Sequence, residues 1–405
     1  MSACEYQEIQ GGVTAAKGFV ANALSCGIKK PTATRLDLAL VYSTEPTTSA
    51  GTFTTNRVRA ACVRVSQDHL RRGDIRAVVA NSGNANACTG QAGLEDCRAT
   101  LDMVGAAVDL PASAILPAST GVIGARMDLD KWRVAVPALA FSLGHASLED
   151  FARAIMTTDA FPKLSGAEIR LAGGSVRLAG AAKGAGMICP NMATMLSLVL
   201  CDAAVAPAAW RAMFRRAVDA TFNRVSVDGD TSTNDTLIGL ANGASGVRAE
   251  GGDLTVLEDA LMGVLGDLAY MLVKDGEGAT KVMHITVSGA ATDADAEAVA
   301  RTVGHSQLVK TAMFGRDANW GRIVAAAGRA GVNFRPEDLR VSLCGVELFR
   351  DGRPTDLDFD SLLKEPLAGT DLALDLVLGN GPGTSRLLAS DLSHAYVSLN
   401  AGYRS

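Results

Sequence analysis

The sequence predicts a mixed α/β protein, and three observations carry that prediction. Short apolar runs typical of buried strands, such as residues 77–80, recur along the chain. Between them lie longer periodic stretches that favour helices, near residues 93–108, 210–222 and 256–273. The chain has 405 residues of which 48% are apolar, enough to bury a large core in two or three structural units. Both patterns continue over the whole length, as the α/β class requires.

A capping signal marks one short helix ahead of a group of polar residues. Ser147 precedes Asp150 by three positions, which is the spacing of a capping box, and the amphipathic stretch behind it runs to Ile155. The predicted helix therefore delivers residues 156–159, Met-Thr-Thr-Asp, at its end. Polar side chains at a helix end can face a cleft.

A hairpin and a later series of strands organise much of the remaining chain. Residues 168–171 and 175–178 alternate in polarity around two glycines, which predicts a β-hairpin. Its second strand leads into a glycine-rich loop over residues 180–186. A soft structural boundary is expected near Lys281, where another strand series opens a smaller last third.

Composition and charge favour small-molecule chemistry. The formal charge is −5, aromatic residues make up 5%, and no long basic run is present, so we expect neither a nucleic-acid nor a membrane partner. No stretch approaches the ~20 apolar residues that span a bilayer, and the N-terminus has no secretion signal pattern. We therefore expect a cytoplasmic protein.

The eight cysteines show no Cys-x-x-Cys spacing, so neither a bound metal nor a disulfide framework is expected. Most of them are expected to be small buried residues. Cys189 is a rival nucleophile by position alone, but no histidine lies near it in sequence. We do not expect a catalytic cysteine.

Thr194 stands at the most informative junction of the chain. It follows a Pro-Asn turn and a glycine-rich loop. The apolar residues behind it predict a buried strand; they are Met195, Leu196, Leu198, Val199 and Leu200. If the bond between Ala193 and Thr194 were cut, the new α-amine could deprotonate the threonine hydroxyl, so one residue would supply nucleophile and base. A buried threonine at the start of a strand is the simpler interpretation, and the junction alone does not exclude it.

Several further motifs occur in a fixed order around that junction. They are Gly11-Gly-Val-Thr-Ala, Phe53-Thr-Thr-Asn-Arg, Asn81-Ser-Gly-Asn-Ala-Asn-Ala-Cys-Thr-Gly, Asn191-Met-Ala-Thr-Met-Leu, Asp391-Leu-Ser and Leu399-Asn-Ala. Together they resemble the ornithine acetyltransferase family, the bifunctional glutamate N-acetyltransferases of arginine biosynthesis. The resemblance implies an αββα sandwich of the DmpA and ornithine acetyltransferase type, N-terminal-nucleophile-like, with a smaller C-terminal α/β domain.

The same resemblance implies self-cleavage and an activity. Cleavage before Thr194 gives an alpha fragment, residues 1–193, and a beta fragment, residues 194–405, which associate as a heterotetramer or a larger assembly. The implied reaction moves acetyl from N-acetyl-L-ornithine to L-glutamate through an acetyl-Thr194 intermediate, with ping-pong kinetics. No tightly bound cofactor is expected, and the use of acetyl-CoA as a co-substrate stays open.

Site residues follow from the resemblance together with local patterns. Thr120 and Gly121 leave a buried strand in a small-residue turn and resemble the oxyanion-hole element of the family. Lys183, on the glycine-rich loop, suits a substrate carboxylate, and Glu277 suits an α-ammonium group. The substrate-binding residues implied by the resemblance are Thr157, Thr158, Lys183, Thr194, Glu277, Asn400 and Ser405. The family commonly ends in threonine, so Ser405 keeps the hydroxyl and the carboxylate but loses a methyl group.

The acidic run that begins at Asp228 superficially resembles a calcium loop. Thr233 stands where that loop has glycine and Gly239 stands where it has glutamate, so we expect no calcium site. We expect a polar structural element near the cleft instead.

Two alternative functions remain. A related self-processing amidase or aminopeptidase would share the nucleophile but release the acyl group to water. An unprocessed, non-catalytic binding protein would keep the fold without the chemistry.

Overall fold

The structure, a computed structural model, describes residues 7–8, 16–29, 35–189 and 195–402. Ala193, Thr194 and Ser405 lie outside the described residues, and so does the predicted cleavage site.

Within the described ranges the chain forms seventeen strands and eleven α-helices. The strands are β1 Gln7–Glu8, β2 Phe19–Leu24, β3 Leu38–Ser43, β4 Thr48–Phe53, β5 Ala77–Asn84, β6 Ile115–Val122, β7 Lys163–Leu171, β8 Gly174–Lys183, β9 Leu196–Cys201, β10 Val225–Ser226, β11 Thr236–Ala241, β12 Val282–Ala290, β13 Arg340–Leu343, β14 Val346–Arg350, β15 Arg353–Pro354, β16 Asp371–Val377 and β17 Gly383–Ser390. The helices are α1 Ala61–Arg72, α2 Gly90–Val108, α3 Leu129–Phe141, α4 Leu148–Ile155, α5 Pro207–Ala220, α6 Asp253–Lys274, α7 Asp293–Gly304, α8 Gln307–Phe314, α9 Trp320–Gly328, α10 Phe359–Leu363 and α11 His394–Gly402. The α/β prediction is confirmed.

Two sheets form the centre of the molecule. The six-stranded sheet has the order β1-β7-β8-β9-β11-β4, and the four-stranded sheet has the order β2-β3-β5-β6. Strands β9 and β11 run parallel, as do β5 and β6. The two sheets face each other across a shared core that also takes in helix α4.

Each sheet is covered by helices on its outer face. In β9, Leu198 enters the core between the sheets, whereas Val199 packs with helices α5 and α6. In β5, Val78 enters the same inner core, whereas Val79 packs with helices α1, α2 and α3. Successive side chains of a strand point to opposite faces, so these pairs define the layer order helix, sheet, sheet, helix. The predicted αββα sandwich is confirmed by this packing.

The local predictions near the centre of the chain are also confirmed. Ser147 and Asp150 form a capping box at the start of α4, which ends at Ile155. Strands β7 and β8 form the predicted hairpin and extend it in both directions, as far as Lys163 paired with Ala182.

A third sheet of seven strands lies in the last part of the chain, in the order β10-β17-β12-β16-β13-β14-β15. It has its own core with helices α7, α8 and α9. Strand β12 begins at Val282, next to the predicted soft boundary at Lys281, but β10 from the earlier part of the chain pairs with β17. The division into domains stays a prediction. No helix in the described part of the chain is long and apolar enough to cross a membrane.

Candidate active site

A cavity of about 390 Å³ lies at one end of the sandwich, beside the ends of β6 and β8. Because β6 belongs to the four-stranded sheet and β8 to the six-stranded sheet, residues from both sheets reach it. Seven residues predicted for the site line it: Thr120, Gly121, Thr157, Thr158, Lys183, Glu277 and Asn400. Thr194 and Ser405, the other two, lie outside the described residues.

The backbone of β6 turns sharply at Gly121, where φ is +132°. A Cβ atom placed there would lie 2.3 Å from the carbonyl carbon of Gly83 and 2.6 Å from the nitrogen of Asn84. The strand pairing with β5 becomes irregular at Asn84, as it does at bulges that re-aim a backbone. Only glycine, which has no Cβ, allows β5 and β6 to approach this closely. It also leaves room for a ligand beside Thr120 and Gly121.

Lys183 carries a buried ammonium group at the end of β8. Its Nζ donates a hydrogen bond to Oγ1 of Thr120 over 3.1 Å, and both side chains are nearly inaccessible to solvent. Burial lowers the pKa of Lys183, while the carboxylate of Asp159 opposes that shift. The amino group of Lys183 therefore lies next to the proposed oxyanion-binding pair.

Glu277 lies on a turn after α6. Its backbone N–H donates to the carbonyl of Ala185 over 2.8 Å. Its carboxylate covers Gly186, where a Cβ would lie 2.6 Å from the carboxyl carbon. Asn400 of helix α11 donates from Nδ2 to Oε2 of Glu277 over 2.9 Å. The C-terminal helix thus contributes directly to the wall of the cavity.

The acidic segment after β10 forms another part of the wall. Asp228 accepts hydrogen bonds from the N–H groups of Met187 (2.6 Å) and Asp230 (3.2 Å), and burial raises the pKa of its carboxyl group. Asn234 donates from Nδ2 to the carbonyls of Ala85 (2.6 Å) and Ser119 (2.9 Å). The segment ties neighbouring loops together beside the cavity, where the sequence placed it.

Two residues at or near the cavity were not singled out from the sequence. Tyr396 lines the cavity, and burial together with the nearby carboxylates of Asp228 and Glu277 raises its pKa to about 12. It stands four positions before Asn400, so helical spacing could have revealed it.

Asp235 is the second of these: it ends the acidic run that begins at Asp228, and the sequence assigned it no role of its own. Its carboxyl group is fully buried and accepts the N–H of Met195 over 3.1 Å. Within the described ranges its other oxygen, Oδ2, has no hydrogen-bond partner. Burial raises the pKa of Asp235 well above its ordinary value. No spacing in the sequence pairs it with Met195.

Cys189 has a histidine neighbour that the sequence did not reveal, His305, with Sγ 3.5 Å from Nε2. Burial raises the pKa of the thiol to about 11 and lowers the pKa of the imidazole to about 4. Both groups are therefore neutral near pH 7. A nucleophilic cysteine needs a thiolate beside a cation, so this pair is not an activated nucleophile.

The fold and the cavity define the class of αββα sandwich proteins with a charged small-molecule cavity at one end of the two sheets. The sequence model of the ArgJ family matches residues 20–405. The chain belongs to the ArgJ family, which confirms the resemblance found from its motifs.

Individual relatives agree with this assignment. The chain is 65% identical over 390 residues to the arginine biosynthesis bifunctional protein ArgJ of Nitratidesulfovibrio vulgaris, covering 96% of this chain and 99% of that protein. It is 45% identical over 415 residues to the protein of the same name from Synechococcus sp., covering 100% of each. Among solved structures, it is similar to the ornithine acetyltransferase of Mycobacterium tuberculosis in complex with ornithine, with 36% identity, a TM-score of 0.42 and coverage of 47% of this chain and 100% of that chain.

Proposed function

We propose that this chain is a self-cleaving acetyltransferase that moves acetyl from N-acetyl-L-ornithine to L-glutamate through an acetyl-Thr194 intermediate. The observation that carries the proposal is the meeting of Thr120, Gly121, Lys183 and Glu277 at one cavity, although they come from three separated parts of the sequence. Full-length relatives named as arginine biosynthesis bifunctional proteins support it.

Self-cleavage makes the nucleophile. The hydroxyl of Thr194 attacks the carbonyl carbon of Ala193, and the acyl group moves from nitrogen to oxygen as the nitrogen takes up the hydroxyl proton. Water then hydrolyses the ester and leaves a free α-amine on Thr194. That amine is the base that the mature hydroxyl needs.

In turnover, Thr194 takes the acetyl group and ornithine leaves; glutamate then takes acetyl from the threonine ester. Each transfer passes through a tetrahedral intermediate whose oxygen carries negative charge. The hydroxyl of Thr120 and the backbone N–H of Gly121 supply the donors for that oxygen. A single oxyanion hole serves both half-reactions because the same acetyl carbonyl carbon is attacked in each, first in the amide of N-acetyl-L-ornithine and then in the threonine ester.

Charged groups in the cavity fit an amino-acid substrate. The ammonium of Lys183 suits the α-carboxylate that both substrates share, and the carboxylate of Glu277 suits an ammonium group. Asn400 holds that carboxylate in place. Thr157, Thr158 and Ser405 complete the proposed binding residues.

Acetyl-CoA is the proposed second donor, and we propose no tightly bound cofactor. The two fragments would stay associated, as a heterotetramer or a larger assembly, in the cytoplasm.

The test is the intact mass of the purified wild-type protein and of Thr194→Ala, before and after a pulse of N-acetyl-L-ornithine. We expect two fragments in the wild type only, with one acetyl group added to the C-terminal fragment. Adding L-glutamate should remove that acetyl group and form N-acetyl-L-glutamate.

Three other results would contradict the proposal. Loss of acetyl to water at the same rate with and without glutamate would identify an amidase. A single chain that never gains acetyl would identify a binding protein. A cut at another bond would exclude Thr194 as the nucleophile.

A further inference from the structure

Three charged side chains form a buried ion network behind the cavity. The ammonium of Lys163 lies 2.8 Å from Oδ1 of Asp159 and 2.5 Å from Oδ2 of Asp275. The side chains of Lys163 and Asp159 have no solvent exposure, and that of Asp275 has 5%. We call these three residues the Lys163 network.

Burial makes such a network expensive. Removing charged groups from water is strongly unfavourable, and replacing a buried ion pair by apolar residues is often neutral or stabilising. Stability alone therefore does not account for the Lys163 network. Its other hydrogen bonds indicate what it holds.

Asp159 holds two segments that line the cavity. Its Oδ2 accepts the N–H of Thr157 over 2.8 Å, which fixes the loop of Thr157 and Thr158. Its Oδ1 accepts the N–H of Gly184 over 2.6 Å, which fixes the backbone next to Lys183. A single carboxylate thus links the end of α4 to the end of β8.

Asp275 connects a third segment. Its two oxygens accept the N–H of Ala160 over 3.3 and 3.1 Å, so it is anchored to the same loop. Two residues later the turn carries Glu277, whose N–H donates to the carbonyl of Ala185. Lys163 therefore joins the Glu277 turn to the Asp159 loop.

We propose that Asp159, Lys163 and Asp275 are positioning residues that hold three cavity segments in one arrangement, and that Asp159 maintains the carboxylate-binding role of Lys183. The inference rests on the proposed function in one respect, the identity of the ligand, which is a substrate carboxylate bound by Lys183. It assigns roles to three residues that touch no substrate themselves.

Electrostatics around Lys183 support the second half of this proposal. The charged groups that face it are Asp159, Lys163, Asp235, Glu277 and Lys29. Burial lowers the pKa of Lys183, Asp159 is the strongest opposing influence, and Lys163 adds to the lowering. Neutralising Asp159 would remove the strongest influence that raises the pKa of Lys183. Burial and the like charge of Lys163, which both lower that pKa, would then meet less opposition. Neutralising Lys163 would remove that like charge, while Lys183 itself still favours the ionised form of Asp159.

Two substitutions should therefore shift the pKa of Lys183 in opposite directions. We expect Asp159→Asn to lower the pKa of Lys183 and Lys163→Met to raise it. If the two residues had only a structural role, both substitutions would loosen the site and admit water. The pKa of Lys183 would then shift in the same direction in both variants. The opposite signs separate the two explanations.

The measurement is the pH titration of the Lys183 side chain by NMR in full-length protein with isotope-labelled lysine, assigned by comparison with Lys183→Arg. This readout needs no turnover, so it tests the inference even if the acetylation experiment fails. Asp275→Asn is the matched control, because it removes a carboxylate from the same ammonium but does not contact Gly184. We expect it to shift the Lys183 titration less than Asp159→Asn does.

Kinetics give a second readout. In Asp159→Asn the loss of kcat/KM at alkaline pH should move to lower pH. In that pH range KM for N-acetyl-L-ornithine should rise about 10-fold or more, because one charge-assisted contact is lost. Lys281→Met removes another buried lysine, whose Nζ bonds the carbonyls of Ala368 and Gly369, and it controls for stability loss. We expect its pH profile to match the wild type.

Two results would overturn the proposal. One is an unchanged Lys183 titration in Asp159→Asn. The other is a shift of the same sign in Asp159→Asn and Lys163→Met. If Asp159→Asn does not fold, a lowered or unchanged pKa of Lys183 in Lys163→Met is sufficient to reject it.

Discussion

The ammonium of Lys183 and the hydroxyl of Thr120 are hydrogen-bonded over 3.1 Å across the two sheets of the sandwich. An ammonium group can only donate, so the threonine oxygen is the acceptor in this bond. The hydroxyl hydrogen of Thr120 remains available for a ligand in the cavity. The pair thus combines a cation with a neutral donor that the cation polarises.

Thr120→Val should remove the donor while keeping the shape of the side chain. We expect acetyl transfer to Thr194 to slow by about 10²–10³-fold, the usual effect of losing one oxyanion-hole donor. Quenched-flow mass spectrometry of the acetylated fragment measures this rate. Thr52→Val is the matched control, because Thr52 Oγ1 is buried without a hydrogen-bond partner in the described ranges and lines a different cavity. A Thr120→Val enzyme as fast as Thr52→Val would exclude the hydroxyl from the oxyanion hole.

Gly121→Ala should disrupt the contact between β5 and β6. The added methyl would lie 2.3 Å from the carbonyl carbon of Gly83, so the strands must separate, in addition to about 1–3 kcal/mol of backbone strain. We expect a lower melting temperature and loss of self-cleavage. At Gly124, φ is +87° but nothing lies within 4 Å of an added Cβ, so Gly124→Ala should show the strain without the clash. Equal melting temperatures for the two variants would refute the steric explanation.

Asn400→Ala should weaken substrate binding with little effect on folding. The variant loses the 2.9 Å hydrogen bond to Glu277, while Asn400 itself lies on the exposed helix α11. We expect KM for N-acetyl-L-ornithine to rise several-fold, up to about tenfold, with kcat changed less. Ser398→Ala on the same helix removes a bond to the His394 carbonyl and should leave KM unchanged. A drop in kcat alone would assign Asn400 a different role.

His305 should make stability depend on pH. Burial lowers its pKa from 6.5 to about 4, so between these pH values the unfolded chain binds more protons than the folded one. The free energy of unfolding should therefore fall as the pH falls from about 6.5 towards 4. His305→Gln should flatten that dependence in urea titrations at several pH values. Cys189→Ser should not, because the thiol titrates near 11, and a slope unchanged in His305→Gln would contradict the buried neutral imidazole.

Local sequence patterns predicted local structure well. The capping box at Ser147 and the helix to Ile155 are confirmed at both ends. The helix expected at residues 256–273 spans Asp253–Lys274. The mostly apolar segment 195–200 is buried because β9 packs against cores on both faces. These features depend on neighbours a few positions apart.

Contacts between distant positions could not be predicted in the same way. Lys163 meets Asp275 across 112 positions, and Cys189 meets His305 across 116. Taken alone in the sequence, each of these residues is typical either of an exposed loop or of a small buried position. Only the folding of the hairpin against the end of α6 brings Lys163 and Asp275 together. The support behind the cavity was therefore missed, while seven of the residues that line the cavity were found through motifs.

The order of strands in the six-stranded sheet has a consequence for refolding. Residues before the predicted cut supply β8 on one side and β4 on the other, and residues after it supply β9 and β11 between them. An uncut chain reaches this arrangement as a single molecule, at any dilution. After a cut, recovery from unfolding would require two chains to collide, so it would slow with dilution and compete with aggregation. After the cut, the protein would therefore no longer refold as a single chain. The lifetime of its structure would then be set by its unfolding rate.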